Sequence, residues 1–276
     1  MYQKFVYLIL ISFLLFSCSK EEVLLTIPAD KDESFLLYKE AVEYMDAGEF
    51  LYASKKFEEA EPILPKIEFS AKASLMSSYC LYLINFYEEA QSNLERFIIK
   101  YPADKNIAYA HYLIAIIFYE NILDERKNIE PLIKTKKKIE FFLINFPDTE
   151  YALDLKFKMD LVNNQLAAKE MYVAKYYISS KKWIPAINRL KTIVKDYSET
   201  IFIEEALHRL VEVYYRVGLT DEANSAAAIL GYNYNSSEWY VQSYKILNKN
   251  YQIAKKKKDA TKKNDIILNK ILKKIK

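Results

Sequence analysis

Glycine is almost absent from this chain, with 3 among 276 residues. So few glycines leave no room for a glycine-rich phosphate loop or a dinucleotide fingerprint. They also argue against an all-β sandwich, which needs many tight turns. Hydrophobic residues nevertheless make up 51% of the sequence, enough for a substantial core. The composition therefore allows a large core and argues against glycine-rich nucleotide-binding loops and all-β sandwiches.

Histidine and cysteine are also scarce, with two of each. His111 and His208 fall in different helical stripes, and the sequence has no Cys/His metal spacing and no HExxH motif. Adjacent acids such as Glu58 and Glu59 point in different directions on a helix. Nothing resembles a nucleophile with a base and an orienting third group. We therefore expect a protein that is not an enzyme and holds no cofactor or metal.

A short apolar run follows the N-terminus. Phe5 to Phe16 is apolar apart from Ser12, and it is shorter than the roughly 20 residues of a membrane-spanning helix. Residues 1–17 are therefore predicted to be a signal peptide. The run ends in Leu15-Phe16-Ser17-Cys18, which resembles the lipobox of bacterial lipoproteins. The resemblance implies cleavage before Cys18, with diacylglycerol on its thiol and an acyl chain on the new amino terminus. The alternative is an ordinary secretory signal with an incidental cysteine.

Lipidation of Cys18 would determine where the protein is located and whether its cysteines can form a disulfide. Serine rather than aspartate at position 19 predicts, by the enterobacterial sorting rule, an anchor in the outer membrane on its periplasmic face. Residues 18–33 would link the anchor to the folded part. No intramolecular disulfide would remain possible, so Cys80 is predicted to be a small buried hydrophobe.

The C-terminal tail concentrates positive charge. Residues 250–276 contain ten Lys and two Asp, a net charge of +8, so the rest of the chain, at +3 overall, sums to −5. Apolar Ile266, Ile267, Leu268, Ile271 and Leu272 lie among these lysines. The basic tail, residues 249–276, is either a solvated extension or a short amphipathic helix that touches anionic lipid or an acidic partner. Nucleic acid is not an expected partner of an exported protein.

The first repeat unit shows two apolar stripes separated by a turn. Leu37, Ala41 and Tyr44 recur at i, i+4 and i+7. Asp46 to Glu49 then supplies a turn in which Gly48 can adopt a left-handed conformation. The second stripe is Phe50, Ala53, Phe57 and Ala60, and Pro65 ends it. This order of small, aromatic, glycine and proline positions resembles the tetratricopeptide repeat of about 34 residues.

The pattern recurs four more times along the chain. Gly218 and Gly231, like Gly48, fall at or just past predicted helix ends, and Ser236 or Ser237 caps a last helix. We therefore predict a tetratricopeptide-like solenoid of about five helix pairs over residues 34–248, because stacked repeats bury one continuous core. The later repeats are marked by Ser78, Tyr87, Ala90 and Pro102; by Ala115, Phe118, Phe142 and Pro147; by Ala174, Tyr177, Trp183 and Ala186; and by Val211, Tyr214, Ala223 and Leu230.

One predicted helix is much longer than a standard repeat helix. No glycine or proline lies between Pro147 and Pro185, and Asp148 or Thr149 can cap a helix start. Apolar residues continue with helical spacing from Leu155 to Tyr177. The sequence therefore predicts one central helix of about 30 residues.

Several sequence blocks resemble the BamD family, in order, over residues 34–248. They are Tyr101-Pro102, Phe146-Pro147, the run from Leu166 to Tyr177, Asn188-Arg189, Asp196-Tyr197, and Gly231 to Tyr240. The last block is similar to the alphaproteobacterial branch. The resemblance implies an outer-membrane lipoprotein of the β-barrel assembly machine, acting with other lipoproteins of that machine. Its C-terminal repeats would dock on the POTRA domains of the insertase BamA, and its N-terminal repeats would receive unfolded outer-membrane proteins.

Two binding sites are expected on this basis. Arg189 matches the family arginine that faces an acidic residue of BamA. The concave positions of the first three repeats form a predicted substrate groove rich in tyrosine, suited to an aromatic targeting segment whose terminal carboxylate Lys72 can reach. The groove residues are Phe35, Tyr38, Lys72, Tyr79, Tyr82, Tyr109, Tyr112 and Tyr119, together with Val42, Met45, Leu75 and Ile116. The alternatives are that the tyrosines only pack between helices, and that the protein is another envelope repeat lipoprotein, a scaffold in cell-wall or lipid-transport complexes.

Overall fold

The computed structural model describes residues 33–122, 129–235 and 237–248. Within these ranges every regular element is an α-helix and no strand occurs. The predicted all-α repeat fold is thereby confirmed. The signal peptide, Cys18, Ser236 and the basic tail lie outside the described residues. The helices are α1 (Glu33–Asp46), α2 (Phe50–Ala60), α3 (Ile67–Leu83), α4 (Tyr87–Lys100), α5 (Ile107–Glu120), α6 (Glu130–Asn145), α7 (Tyr151–Ser179), α8 (Trp183–Asp196), α9 (Ile203–Arg216), α10 (Thr220–Asn233) and α11 (Glu238–Leu247).

Contacts divide the chain into two compact units, between Ala110 and His111. In the first unit α1 packs on α2, α2 on α3 and α3 on α4. Small residues let these helices approach closely: Ala41, Ala53 and Ala60 have no exposed surface. The first unit therefore has the helix-by-helix packing expected of stacked repeats.

In the second unit α7 packs on α8, α8 on α9 and α9 on α10, while α11 closes on α9 and α10. Ala167, Ala174 and Ala206 supply the small residues of its core. The larger core side chains are Met171, Leu190, Ile193, Leu210 and Val211.

The turn inside a repeat has the same backbone geometry at four places. Gly48 and Gly218 have φ of 78° and 82°, and Asn85 and Lys181 take the same left-handed conformation, at 62° and 56°. At each place the next residue donates its N–H to a carbonyl five positions earlier, a Schellman-type helix end. These bonds are Glu49 to Tyr44, Phe86 to Leu81, Lys182 to Tyr177 and Leu219 to Tyr214, at 2.8–2.9 Å.

The predicted long helix is confirmed as α7, whose 29 residues run without a break. Its buried positions include Leu155, Val162 and Leu166, which follow helical spacing. Pro147 lies before its start and Lys181 ends it in a left-handed turn. Among the described residues, none of the helices, α7 included, has the length and apolarity needed to cross a membrane.

The last helix begins as predicted and packs closely. Ser237 caps α11, because its hydroxyl accepts the N–H of Tyr240 at 3.1 Å. Gly231 lies within the last turn of α10, where a Cβ would stand 3.0 Å from Tyr240 Cε2 and 3.1 Å from the Tyr244 hydroxyl. This glycine therefore permits close approach of α11.

Cys80 is a free, buried thiol, as predicted, and burial raises its pKa to about 12.

Candidate protein-binding surfaces

Half-buried tyrosines from two helices meet in the first unit. On α3, Tyr79 and Tyr82 have ring centroids 6.4 Å apart. Tyr79 also contacts Tyr109 on α5, with centroids 6.5 Å apart. Tyr87, at the start of α4, extends the row from Tyr82 at 6.0 Å. We call Lys72, Tyr79, Tyr82 and Tyr109 the tyrosine surface.

Two lysines mark one end of the tyrosine surface. Lys72 lies two helical turns before Tyr79 on the same face of α3, and Lys105 lies just before α5. Burial lowers the pKa of Lys72, and the charge of Lys105 lowers it further. No carboxylate of the described residues forms an ion pair with Lys72. A ligand carboxylate placed here would relieve this repulsion, and the nearby N-termini of α3 and α5 would favour it.

The assignment of Phe35 and Tyr38 to an open groove is wrong. Both are buried in the core of the first unit, where Phe35 meets Phe69 and Tyr38 meets Phe57 edge to face. Periodicity places them on one face of α1, but that face packs on α2 and α3. Burial raises the pKa of Tyr38 well above its usual value, as expected for a core phenol. The predicted apolar groove positions Val42, Leu75 and Ile116 are buried as well.

Tyr112 and Tyr119 face α7 in the second unit. The Tyr112 hydroxyl donates to Asp154 Oδ2 at 3.0 Å, and its ring stacks on Tyr151 with centroids 4.8 Å apart. The ammonium of Lys158 lies 5.4 Å from the centre of the Tyr119 ring. Packing between neighbouring repeats therefore occupies these two tyrosines.

Arg189 lies on α8 with 46% of its side chain exposed. Its Nη1 donates to both carboxylate oxygens of Glu170 on α7, at 3.1 and 3.2 Å. Glu170 is only 14% exposed and is therefore a fixed anchor beneath the arginine. Tyr197 is close by. Burial raises the pKa of Tyr197, the charge of Glu170 raises it further, and Lys136 Nζ lies 5.0 Å from its ring centre. This geometry orients the guanidinium while leaving much of it accessible.

Sequence reasoning did not identify Lys105 or Glu170. Each acts through a neighbour from another part of the chain, Lys105 beside Lys72 and Glu170 beneath Arg189. Charge at a helix start was the available signal for Lys105. For Glu170, the block from Leu166 to Tyr177 stood out in the sequence, but the sequence does not show which residue each side chain of the block contacts.

The histidines take part in packing. His208 Nδ1 lies 2.9 Å from the Ser243 hydroxyl, and its ring is 5.0 Å from Trp239. His111 lies between Phe141 and Phe146, with centroids 5.1 and 5.3 Å away. In the part of the chain that the structure describes, no group of three or more His, Cys, Asp or Glu residues is arranged to hold a metal ion.

The fold and the candidate binding surfaces define a helical repeat protein of the tetratricopeptide type. Comparison with known proteins identifies its family. The model of the YfiO family, described as an outer membrane lipoprotein, matches residues 30–229. A Rickettsia prowazekii protein named outer membrane protein assembly factor BamD is 39% identical over 216 residues, covering 78% of this chain and 86% of that protein. The Caulobacter vibrioides protein of the same name is 37% identical over 215 residues, covering 78% and 70%. The chain belongs to the YfiO family of outer membrane lipoproteins, which confirms the resemblance to BamD.

One solved structure is also similar. PilW, a type IV pilus biogenesis factor, is 15% identical and matches with a TM-score of 0.33, covering 76% of this chain and 98% of that chain.

Proposed function

We propose that this chain is a non-catalytic lipoprotein subunit of the outer-membrane β-barrel assembly machine, binding unfolded outer-membrane proteins and the insertase BamA. The observation that carries the proposal is the family match over residues 30–229, together with relatives named as outer membrane protein assembly factors. These names favour assembly over a scaffold in cell-wall or lipid-transport complexes. Lipid on Cys18 would hold the protein on the periplasmic face of the outer membrane, beside the other lipoproteins of the machine.

The tyrosine surface is the proposed site for the targeting segment of a substrate. An aromatic residue buried against tyrosine rings gains about 2–3 kcal/mol from apolar burial alone. A terminal carboxylate would pair with Lys72, which lacks an internal partner among the described residues. We therefore restrict the proposed substrate site to residues of the first unit.

The test is photo-crosslinking of a synthetic peptide ending in phenylalanine to the full chain. Tyr79→Ser combined with Tyr109→Ser should reduce crosslinking about tenfold, because two ring contacts of about 0.7 kcal/mol or more each are removed. Tyr52→Ser is the matched control, since Tyr52 lies in the same unit but is exposed on α2.

The carboxylate contact has its own comparison. A peptide with a free terminus should crosslink better than its amide, and Lys72→Met should abolish that difference. Equal crosslinking of the two peptides to the unaltered chain, or undiminished crosslinking in the double tyrosine variant, would refute the proposed substrate site.

BamA binding is proposed for Arg189. An arginine held by Glu170 can offer its remaining N–H groups to a carboxylate of a partner. The pre-existing ion pair reduces the freedom that the arginine loses on binding.

A further inference from the structure

One face of α7 carries large apolar side chains that are exposed to solvent in the described structure. Leu153, Phe157 and Leu161 follow each other at four-residue spacing, with Leu153 77% and Phe157 62% exposed. Ile201 lies beside their C-terminal end, because its N–H donates to Asn164 Oδ1 at 3.1 Å. Its side chain is 80% exposed. A row of large apolar residues facing water is the usual mark of a docking surface.

The same end of this row opens into an acidic cavity. Its volume is about 120 Å³, and it is lined by α7, the last residue of α8 and the segment that joins α8 to α9. Asp160, Asp196 and Glu199 contribute carboxylates, and none of the three forms an ion pair within the described residues. Asn163 Oδ1 is buried at this place without a hydrogen-bond donor. The cavity therefore offers acceptors and negative charge to an entering ammonium group.

Another cavity in the described part of the chain differs in charge. Glu58 and Glu61 line it together with Arg96 and Lys100, so its charges balance. A lysine-rich segment would gain little there. We call Leu153, Phe157, Leu161 and Ile201, with Asp160, Asp196 and Glu199, the acidic-apolar surface.

A segment of this chain has the positive charge and the apolar side chains that the acidic-apolar surface would bind. Residues 250–276 hold ten lysines and a net charge of +8, against −5 for the remainder. Ile266, Ile267, Leu268, Ile271 and Leu272 lie among those lysines. A segment with both properties complements a row of apolar side chains that ends in three carboxylates.

The basic tail is also long enough to reach the acidic-apolar surface. Helix α11 packs along α9, with Ser243 opposite His208, and Ile201 comes just before α9. Helix α9 has 14 residues, a length of about 21 Å. The 28 residues after Asn248 could span about 90 Å if extended. Chain length therefore allows binding within one molecule.

We propose that residues 249–276 bind back onto the acidic-apolar surface of the second unit. The lysines pair with Asp160, Asp196 and Glu199, and the isoleucine and leucine side chains cover Leu153, Phe157 and Leu161.

Zero-length carbodiimide coupling tests this proposal on the full mature chain in detergent, since it joins a lysine amine only to a carboxylate in contact with it. Protein with and without ¹⁵N is mixed first, so that mass spectrometry separates bonds within a molecule from bonds between molecules. We expect coupling within one molecule, from the tail lysines to Asp160, Asp196 and Glu199. Asp221 and Glu222 on α10 are the control carboxylates.

Phe157→Ser is the decisive variant, because it leaves every carboxylate in place and replaces a side chain that is mostly exposed. Coupling of the tail to the three carboxylates should fall about tenfold, or about 1.4 kcal/mol of binding. Tyr232→Ser, at an exposed aromatic residue of α10, should leave it unchanged.

Three outcomes would overturn the proposal. Coupling mainly between differently labelled molecules would assign the surface to a second copy. Equal coupling to Asp221 and Glu222 would show an unspecific tail. Loss of the coupling when vesicles of anionic phospholipid are added, with the tail bound to them instead, would assign the tail to a lipid surface.

Discussion

At the scale of single residues, Glu61 is a buried carboxylate of the first unit that accepts hydrogen bonds from three side chains. Its side chain is 3% exposed and accepts from Arg96 at 2.8 and 3.0 Å, Lys100 at 2.9 Å and the Tyr101 hydroxyl at 2.8 Å. Burial alone would raise the pKa of Glu61, but the bonds from these three donors outweigh it and lower the pKa. Glu61 thus ties the end of α2 to the end of α4.

We expect Glu61→Gln to destabilise the protein by about 2–3 kcal/mol, because a charge-assisted network is lost while its donors remain. The difference from the parent should shrink below about pH 4.3, since the stabilisation by a carboxylate with a lowered folded-state pKa is complete only above the unfolded pKa and is lost as pH falls through the folded pKa. Urea unfolding at several pH values measures it. Glu59→Gln, in an exposed pair with Lys56, should change stability by less than about 1 kcal/mol. Equal effects of the two substitutions would contradict this account.

His208 predicts a second pH dependence, near neutrality. Burial lowers its pKa, the charge of Arg209 lowers it further, and Glu205 and Glu212 only partly oppose them. The fold therefore favours the neutral ring, so stability is complete above the unfolded pKa of about 6.5 and is lost as pH falls below it. Between pH 7.5 and 5.5 the melting temperature of His208→Gln should fall less than that of the parent.

His111 supplies the matched comparison for this measurement. Burial and Lys138 lower its pKa as well, so His111→Gln should remove a separate part of the same slope. If neither substitution flattens the dependence, the histidines do not carry it.

At the scale of elements, the repeat turns separate what the sequence could predict from what it could not. Gly48 and Gly218 were recognisable as left-handed turn residues because glycine adopts that conformation without strain. Asn85 and Lys181 adopt it too, although a lysine there gives no sequence signal. Packing of the flanking helices and the Schellman-type bond impose the conformation on whichever residue is present.

The same limit applies to the binding surfaces. The local sequence pattern correctly predicted the repeats, the long helix α7 and the cap at Ser237, because each of these features depends on residues that are close together in the sequence. It could not separate Tyr38, which is buried against Phe57, from Tyr79, which lies half-buried beside Tyr109. That difference depends on which other helices pack on the face, a property of tertiary contacts.

Lys181→Gly should stabilise the protein by about 1 kcal/mol, because a side chain with a Cβ pays about that much to be left-handed. Lys181→Ala is the matched control: it also removes the charge but keeps the Cβ, so it should give no gain. Gly218→Ala should have the opposite effect, a loss of about 1 kcal/mol. Thermal unfolding measures all three, and a gain in Lys181→Ala equal to that in Lys181→Gly would point to charge as the cause.

At the scale of the whole molecule, the predicted lipid anchor at Cys18 would determine where both proposed binding surfaces operate. We expect Cys18→Ala to block cleavage of residues 1–17 and to remove the acyl chains, because the thiol is the predicted attachment site. Mass spectrometry of the protein from membranes is the measurement. An unmodified Cys18 on the native protein would contradict the prediction.

The two proposed partners bind surfaces that belong to different units. Lys72, Tyr79 and Tyr109 lie before residue 111, whereas Glu170 and Arg189 lie after it. Each site is built within one unit, so substitutions should separate the two activities. Tyr79→Ser with Tyr109→Ser should weaken peptide crosslinking and leave BamA co-purification unchanged, and Arg189→Glu should do the reverse.

The expected loss for Arg189→Glu is about 2–5 kcal/mol of BamA binding, the range for removing one partner of a buried interfacial ion pair. The substitution also breaks the internal pair with Glu170, which by itself could disturb α7 and α8. The exchange Glu170→Arg with Arg189→Glu separates these causes, because it rebuilds the internal pair with its charges reversed. If Arg189 contacts BamA, the exchange should bind as poorly as Arg189→Glu while its helical content by circular dichroism equals that of the parent. If the exchange restores co-purification, the arginine acts only within the fold and the proposed contact is wrong.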